Sequence, residues 1–336
     1  TTLRGGYGIF YDWYESSIFE QTIRVDGTHQ VDVVIQNPGF PVVDGGSGTR
    51  LPPSLVRAAS LGQPIIHQAS FGLERPLASW LDFRGDYMWT RGADTLRSVN
   101  VNAPINGVRP NALAGNIAEI RSTGKRASDR LTVALNARNM RRRIMGMVMY
   151  TLGSQRNYSD SATALPSNSN DPNLDWGPSA QDVRHRIFLN FNAPLGNGIR
   201  ASVNVQGSSA LPYSITTGFD ANGDTVFNDR PDGLGRNSVR GAAQWTTNLR
   251  LNKSLGLGPA RAGGGGMPGM PGMPTGGGAS AQRGPGGGGP GGGGDGPQIM
   301  VMEGGGQRYR LDLYVNFQNV FNNVNYNSFV GNQLSS

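Results

Sequence analysis

The feature that most restricts what this chain can fold into is a two-residue alternation of apolar and polar side chains, repeated in segments of about 9 to 13 residues. Between Leu3 and Trp13 the odd positions are Leu3, Gly5, Tyr7, Ile9, Tyr11 and Trp13, while the even ones include Arg4, Gly6, Gly8 and Asp12. Successive side chains of a strand point to opposite faces, so each such segment has one oily face and one polar face. Leu81, Phe83, Tyr87 and Trp89 alternate with Asp82, Arg84 and Asp86; Leu131, Val133 and Leu135 with Arg130, Thr132, Asn136 and Arg138. The pattern returns at Ile187, Leu189 and Phe191, and at Ile199, Ala201, Val203 and Val205. It recurs at Trp245, Leu249 and Leu251, and at Tyr309, Leu311, Leu313, Val315 and Phe317. Two segments are less regular: Ile65 to Leu73 carries His67 on its apolar side, and Met145, Met147 and Met149 blur the contrast between Ile144 and Leu152. The expectation is an all-β antiparallel fold of about nine long strands, each able to cross a bilayer when tilted.

A soluble β-sandwich also alternates. Three features favour a transmembrane barrel. The segments exceed the usual soluble strand of about 5 to 6 residues. Arg, Asp, Asn and Gln recur on the face that would line a wet lumen. Aromatic residues gather near segment ends, at Trp13, Trp80, Tyr87, Trp89, Trp245 and Tyr309, as interfacial girdles do. The mean hydropathy of -0.38 agrees with alternation, and no run of about 18 apolar residues exists to make a spanning helix. With no Cys, disulfide frameworks and thiolate metal sites are excluded. The net charge of +7 comes from scattered Arg residues with one cluster, Arg138 and Arg141 to Arg143. No nucleic-acid motif accompanies it, so no nucleic acid is expected as a partner.

Connection lengths supply an independent check, because outer-membrane barrels alternate short periplasmic turns with long external loops. Long connections are expected over about residues 15 to 62, 92 to 125, 154 to 182 and 210 to 241, and short ones near Arg75 to Ser79, Arg138 to Arg142 and Pro194 to Gly198. The last contains Gly196-Asn197-Gly198, a hairpin-type turn. One connection breaks the parity. The segment 255–307 falls on the periplasmic side yet is a long Gly/Pro/Met tract, too poor in apolar residues to fold, and is expected as a disordered insertion. Its glycines lack the βαβ context of a phosphate loop. Met267, Met270 and Met273 read as low-complexity drift sooner than as a soft-metal site.

Candidate chemistry is sparse. Asp220, Asn222 and Asp224 place oxygen ligands at alternate positions, as in the first half of an EF-hand loop, and make this external loop a candidate Ca²⁺ site. The pattern then departs: the sixth position is Thr225 where Gly is usual, and the twelfth is Pro231 where Glu is usual, so Asn228 or Asp229 would have to complete the shell. The competing reading is an Asx-rich turn that orders itself without metal. His29, His67 and His185 have no metal-ligand spacing, and no nucleophile or phosphate-loop motif is present, so neither a catalytic site nor an organic cofactor is expected. Asp82, Asp86 and Asp312, with Arg84, Arg308 and Arg310, read as pairs inside a wet lumen, or alternatively as a solute path.

Particular residues also look familiar. Leu3-Arg4-Gly5-Gly6-Tyr7-Gly8-Ile9-Phe10-Tyr11-Asp12 resembles a strand of Oar-like TonB-dependent receptors, acidobacterial-type outer-membrane proteins that often carry a carboxypeptidase-regulatory-like N-terminal domain. In the same order follow Tyr87 through Asn102-Ala103-Pro104, then Arg184-His185-Arg186, then Asp220-Ala221-Asn222-Gly223-Asp224 with Asn228-Asp229-Arg230-Pro231. The last is Asn316 through Asn319-Val320-Phe321-Asn322 with Asn325-Tyr326. The resemblance covers nearly the whole chain outside the Gly-rich tract. It implies a location in the cell outer membrane, lipid as a partner, a barrel of around twenty-two strands, and uptake of a solute captured by the external loops. Residues 1–336 would then be a partial barrel domain. The plug, the TonB box and the N-terminal domain are absent from this segment, so TonB would be engaged only through upstream sequence. A structural or adhesive surface protein without transport is the alternative, and the solute itself is not legible.

Overall fold

The computed structural model describes residues 1–30, 32–35, 38–39, 41, 48–59, 61–260, 307–326 and 329–334. The core of the Gly/Pro/Met tract, with Met267, Met270 and Met273, lies outside the described residues. Nine long strands form one path: β1 (Thr2–Tyr11), β2 (Ile65–Ala78), β3 (Leu81–Asn100), β4 (Ile117–Asn139), β5 (Ile144–Asn157), β6 (His185–Gly196), β7 (Ile199–Ser208), β8 (Gln244–Ala260) and β9 (Gln307–Phe317). Each pairs antiparallel with its neighbours in sequence, so the sheet is a meander. β1 and β9 end the path and are not paired with each other, so the barrel is not closed by these nine strands.

The register places the alternation coherently across the sheet. Leu81, Ala137, Gly146, Phe191, Val203, Leu249 and Phe317 are successive cross-strand partners on the apolar face. One residue along, Asp82, Asn136, Met147, Asn190, Asn204 and Asn248 do the same on the polar face. A slip by one residue would exchange the two sets, which is why the register is firm. The methionines that blur the sequence pattern are resolved by it: Met145, Met147 and Met149 pair with Arg138, Asn136 and Ala134, and so lie on the polar face. Among the described residues nothing covers the apolar face. On β9 alone Leu311, Leu313, Val315 and Phe317 stay 42%, 51%, 55% and 46% exposed. His67 sits on that face within hydrogen-bond reach of Tyr7, at 2.6 Å, and His185 stands in the same relation to Tyr150 at 2.7 Å.

The short connections have the geometry their residues dictate. β6 and β7 are joined by Asn197-Gly198, both with positive φ (52° and 74°), the pair of left-handed conformations a type I′ hairpin requires. Gly207 serves close approach instead: Trp245 lies across it, and a Cβ there would meet the indole at 2.6 Å.

Three expectations need correction. The connection expected over residues 92–125 is mostly strand, because β3 runs to Asn100 and β4 starts at Ile117, leaving only 101–116 as loop. Above the apolar band the ladder needs no oily face, so the alternation that marked the strands fades while the hydrogen bonds continue. The insertion expected from residue 255 starts later. β8 continues to Ala260, with Leu255 and Leu257 still paired across to Leu311 and Tyr309. β1 stops at Tyr11, short of Trp13.

Candidate functional site

The long connections all emerge at one end of the sheet and pack on one another. In the first, a helix α1 (Ser16–Arg24) is followed by a strand at Leu55–Ala58 that pairs in parallel with the start of β4, Leu55 against Ile117. In the third, Gly177–Pro178 pairs with the end of β5. In the fourth, Pro212–Tyr213 pairs with Val239–Arg240, and the segment after β9 returns to it through a bridge between Thr216 and Asn332. Among the described residues 9 hydrophobic and 14 polar or charged ones are buried, nearly all in these connections or in the ends of β3 and β4 beside them. The canopy is therefore held by satisfied polar groups more than by oil.

Asn102, 1% exposed, shows how. Its Nδ2 donates to the carbonyls of Asn111, Ala114 and Gly115, and its Oδ1 accepts the Asn111 N–H at 2.7 Å, closing loop 101–116 on itself. Arg109 then ties that loop to the fourth connection, donating to the carbonyls of Asn102 and Gly115 and to Thr225 Oγ1 at 2.8 Å.

The four residues proposed from sequence as calcium ligands are brought into one turn. Asp220 accepts the N–H groups of Gly223, Asp224 and Thr225. Asn222 Oδ1 accepts Asp224 N–H, and its Nδ2 donates to Asp229 at 2.6 Å. Asp229 also accepts the Ala221 N–H. Asp224 is fully buried, and its two carboxylate oxygens accept the N–H groups of Val226 and Ser169. Thr225, which departs from the EF-hand pattern in sequence, nevertheless takes the left-handed backbone, φ 69°, that glycine usually supplies. The strain of a β-branched residue there is offset by its bonds to Asn116 and Arg109. The carboxylates repel one another: burial first, then Asp224 and Asp220, push the Asp229 carboxyl above its ordinary value despite the Ala221 N–H. Every carboxylate oxygen of the turn accepts a donor from the chain itself, and a cation would have to displace some of these. Among the described residues no three His, Cys, Asp or Glu side chains gather as a metal-ready group.

Beside this turn the third and fourth connections and the top of β3 line an open pocket of about 280 Å³, with Arg97, Tyr158, Asp175, Asn228, Arg230 and Arg236 among its walls. Arg230 pairs with Asp175 at 2.7 Å, and Arg236 pairs with Asp160. Arg97 differs. It donates to Thr123 Oγ1, the Pro172 carbonyl and Asn173 Oδ1, and its guanidinium lies 4.4 Å over the Tyr158 ring. Sequence reasoning did not find this group. Arg97 looked like one more scattered arginine, and its partners Pro172 and Asn173 are 75 and 76 residues away. Of the lining residues named, only Asn228 and Arg230 stand in a motif the sequence singles out.

Burial disfavours the Asp160 carboxylate, but the Asn157 amide, Arg236, Ser179 Oγ and Ala180 N–H outweigh it and hold its pKa below the ordinary aspartate value. A depressed folded-state pKa gives stability that is complete above the ordinary value and lost as pH falls through the lower one. Hydrogen-exchange protection of residues 158–180 should thus hold to about pH 4 and decline below it. In Asp160→Asn the same segment should lose protection already at neutral pH; an unchanged profile in that variant would refute the role given to Asp160.

A family model described as the outer membrane beta barrel domain matches residues 1–286. Among solved structures, the chain is similar to the outer membrane transporter YddB from Escherichia coli. They share 12% identity at a TM-score of 0.50, over 75% of this chain and 32% of that one. The FrpB iron transporter from Neisseria meningitidis (F3-3 variant) aligns at 14% identity and a TM-score of 0.39, over 60% of this chain and 26% of that one. The chain thus spans about a third or less of the length of these structures. At 12% identity the likeness to YddB is one of fold. No curated protein matches.

Proposed function

Because the chain belongs to the outer membrane beta barrel domain family, we propose that it is the wall and external canopy of a receptor that captures a solute in its loops and conducts it through the barrel. The protein is an outer-membrane β-barrel, and its uncovered apolar face contacts lipid. The observation that carries the proposal is the canopy itself: a layer of polar loops, ordered by buried hydrogen bonds and lining an open pocket, above a wall whose inner row is Asp82, Asn136, Met147, Asn190, Asn204 and Asn248. Pre-ordered polar loops lower the cost of binding, and a polar wall offers a wet path below.

The finer reading is that the receptor is of the Oar-like TonB-dependent type, with a plug and TonB box supplied outside residues 1–336. The motifs in common order, from Leu3-Arg4-Gly5-Gly6-Tyr7 to Asn325-Tyr326, support it. The test is to delete the full-length gene in its native bacterium and follow depletion of the growth medium by mass spectrometry. A set of solutes should persist in the deletion strain and, equally, in wild-type cells treated with a proton uncoupler. Identical depletion with loss of surface attachment alone would favour adhesion and overturn transport.

A further inference from the structure

The inner wall carries its surplus charge on one side. The polar face of β4 from residue 126 onward, and of β5 to β8, followed through the register, holds Arg126, Arg130, Arg138, Arg186, Arg200 and Arg250 and no aspartate or glutamate. Arg4 and Arg84, on the polar face of β1 and β3, are by contrast paired with Glu74 and Asp86. Among the described residues none of the six is in an ion pair. Arg200 donates to Asn192 Oδ1 at 3.3 Å, and Arg250 lies 4.5 Å over the Tyr314 ring. Two groupings stand out. Toward the canopy, Arg130 is opposite Gly153 and Arg186 is opposite Thr151, and both are exposed. On the rung of Arg186, Thr132 and Thr151 bring their hydroxyls 3.3 Å apart. Toward the short turns, Arg250 is opposite Ser202 and Arg200 opposite Asn252, a diagonal pair on adjacent strands. Like charges so placed repel one another, and no acid on these five strand faces offsets them.

Resting on the reading of the barrel as a solute path, we propose that the β4–β8 side of the inner wall is an anion-binding surface and that the solute it passes is an anion. The anion is received below the canopy at Arg130 and Arg186 and handed on to Arg200 and Arg250. A passage lined by one sign of charge between low-dielectric walls concentrates ions of the opposite sign. Strands about 4.8 Å apart put the Cα atoms of Arg130 and Arg186 roughly 12 Å from each other, so both side chains can reach one carboxylate or phosphate, whose oxygens match the guanidinium fork. Arg186 is opposite Ser208 and Arg250 opposite Ser202, which separates the two groupings by about 20 Å along β7 at about 3.4 Å per residue. Asn190, Asn204 and Asn248 form a rung of neutral amides between them. Exposed arginines in a wet lumen hold an anion weakly, and several weak sites in series let it leave as well as enter.

The test is isothermal titration, at constant ionic strength, of the full-length receptor in detergent with pyrophosphate, glycerol and spermidine as anionic, neutral and cationic probes. Pyrophosphate should bind about tenfold or more tighter than either of the others. Arg130→Gln with Arg186→Gln should weaken it by about tenfold. Arg4→Gln with Arg84→Gln removes as much charge from residues already paired with acids, and should change it by less than about twofold. Pyrophosphate affinity that survives the first pair of substitutions, or falls equally with the second, overturns the inference. So does absence of pyrophosphate binding, the result expected if acidic residues outside 1–336 already neutralise these arginines. The medium-depletion experiment reads the transport proposal separately. Solutes that persist there should be anions; neutral or cationic ones would overturn the inference and leave transport standing. Persistence of none would remove transport, and the titration would still decide whether the wall binds anions.

Discussion

Val203→Arg should cost about 2–4 kcal/mol of barrel stability, whereas Asn204→Arg, one residue along the same strand, should cost less than about 1 kcal/mol. Val203 stands between Phe191 and Leu249 on the lipid-facing side, near the middle of β7, and Asn204 stands between Asn190 and Asn248 on the lumen side. An arginine at 203 must desolvate or snorkel; at 204 it meets water and amides. Urea titration of the full-length protein in lipid vesicles, followed by heat-modifiable gel mobility, separates the two. Equal losses in both variants would mean that the sheet is not the wall of a membrane barrel as placed here.

The second large effect lies in the canopy. Asp182 is nearly inaccessible, with 2% of its side chain exposed, and its ionic partner is Arg240, which also donates to the carbonyls of Asp182 and Ala210. Asp182 Oδ1 in turn accepts the Gln155 N–H at 2.7 Å, so the pair joins the end of β5 to the third and fourth connections. Removing one member of a buried pair strands the other charge, and Arg240→Met should destabilise the loop layer by about 3–5 kcal/mol. The double variant Arg240→Met with Asp182→Asn removes the stranded charge and keeps an acceptor for Gln155, so most of the loss should return. Limited proteolysis and hydrogen exchange across residues 158–184 and 209–243 read the effect, and the urea transition of the barrel should stay where it was. A double variant no better than the single one would show that the pair acts through packing and not through charge.

Much of this protein was legible in one dimension. The period of two named all nine long strands, in order and with the correct faces, because a half-buried strand has to repeat every second residue and a meander pairs sequence neighbours. Even Met145, Met147 and Met149, which obscured one strand, follow the parity of their neighbours. Asn197-Gly198 announced its hairpin for an equally local reason, since few residues accept two left-handed positions in succession. The candidate calcium ligands were also recognisable as one turn, though sequence did not show that Asp224 would be fully buried or that Thr225 would take the left-handed conformation.

The canopy was decided only in three dimensions. β3 and β4 outrun the apolar band, where no lipid enforces alternation, so their upper halves carry no sequence signature. Arg97 reaches across 75 residues to Pro172, Arg230 across 55 to Asp175, Arg240 across 58 to Asp182, and Asn100 across 124 to Asp224. A hydrogen bond depends on where two groups finally stand and leaves no periodic trace in the chain. The membrane wrote the wall into the sequence as a repeat. The pocket above it exists only where separate loops meet, and there Arg97, Tyr158, Asp175 and Arg230 come together from segments far apart in the chain.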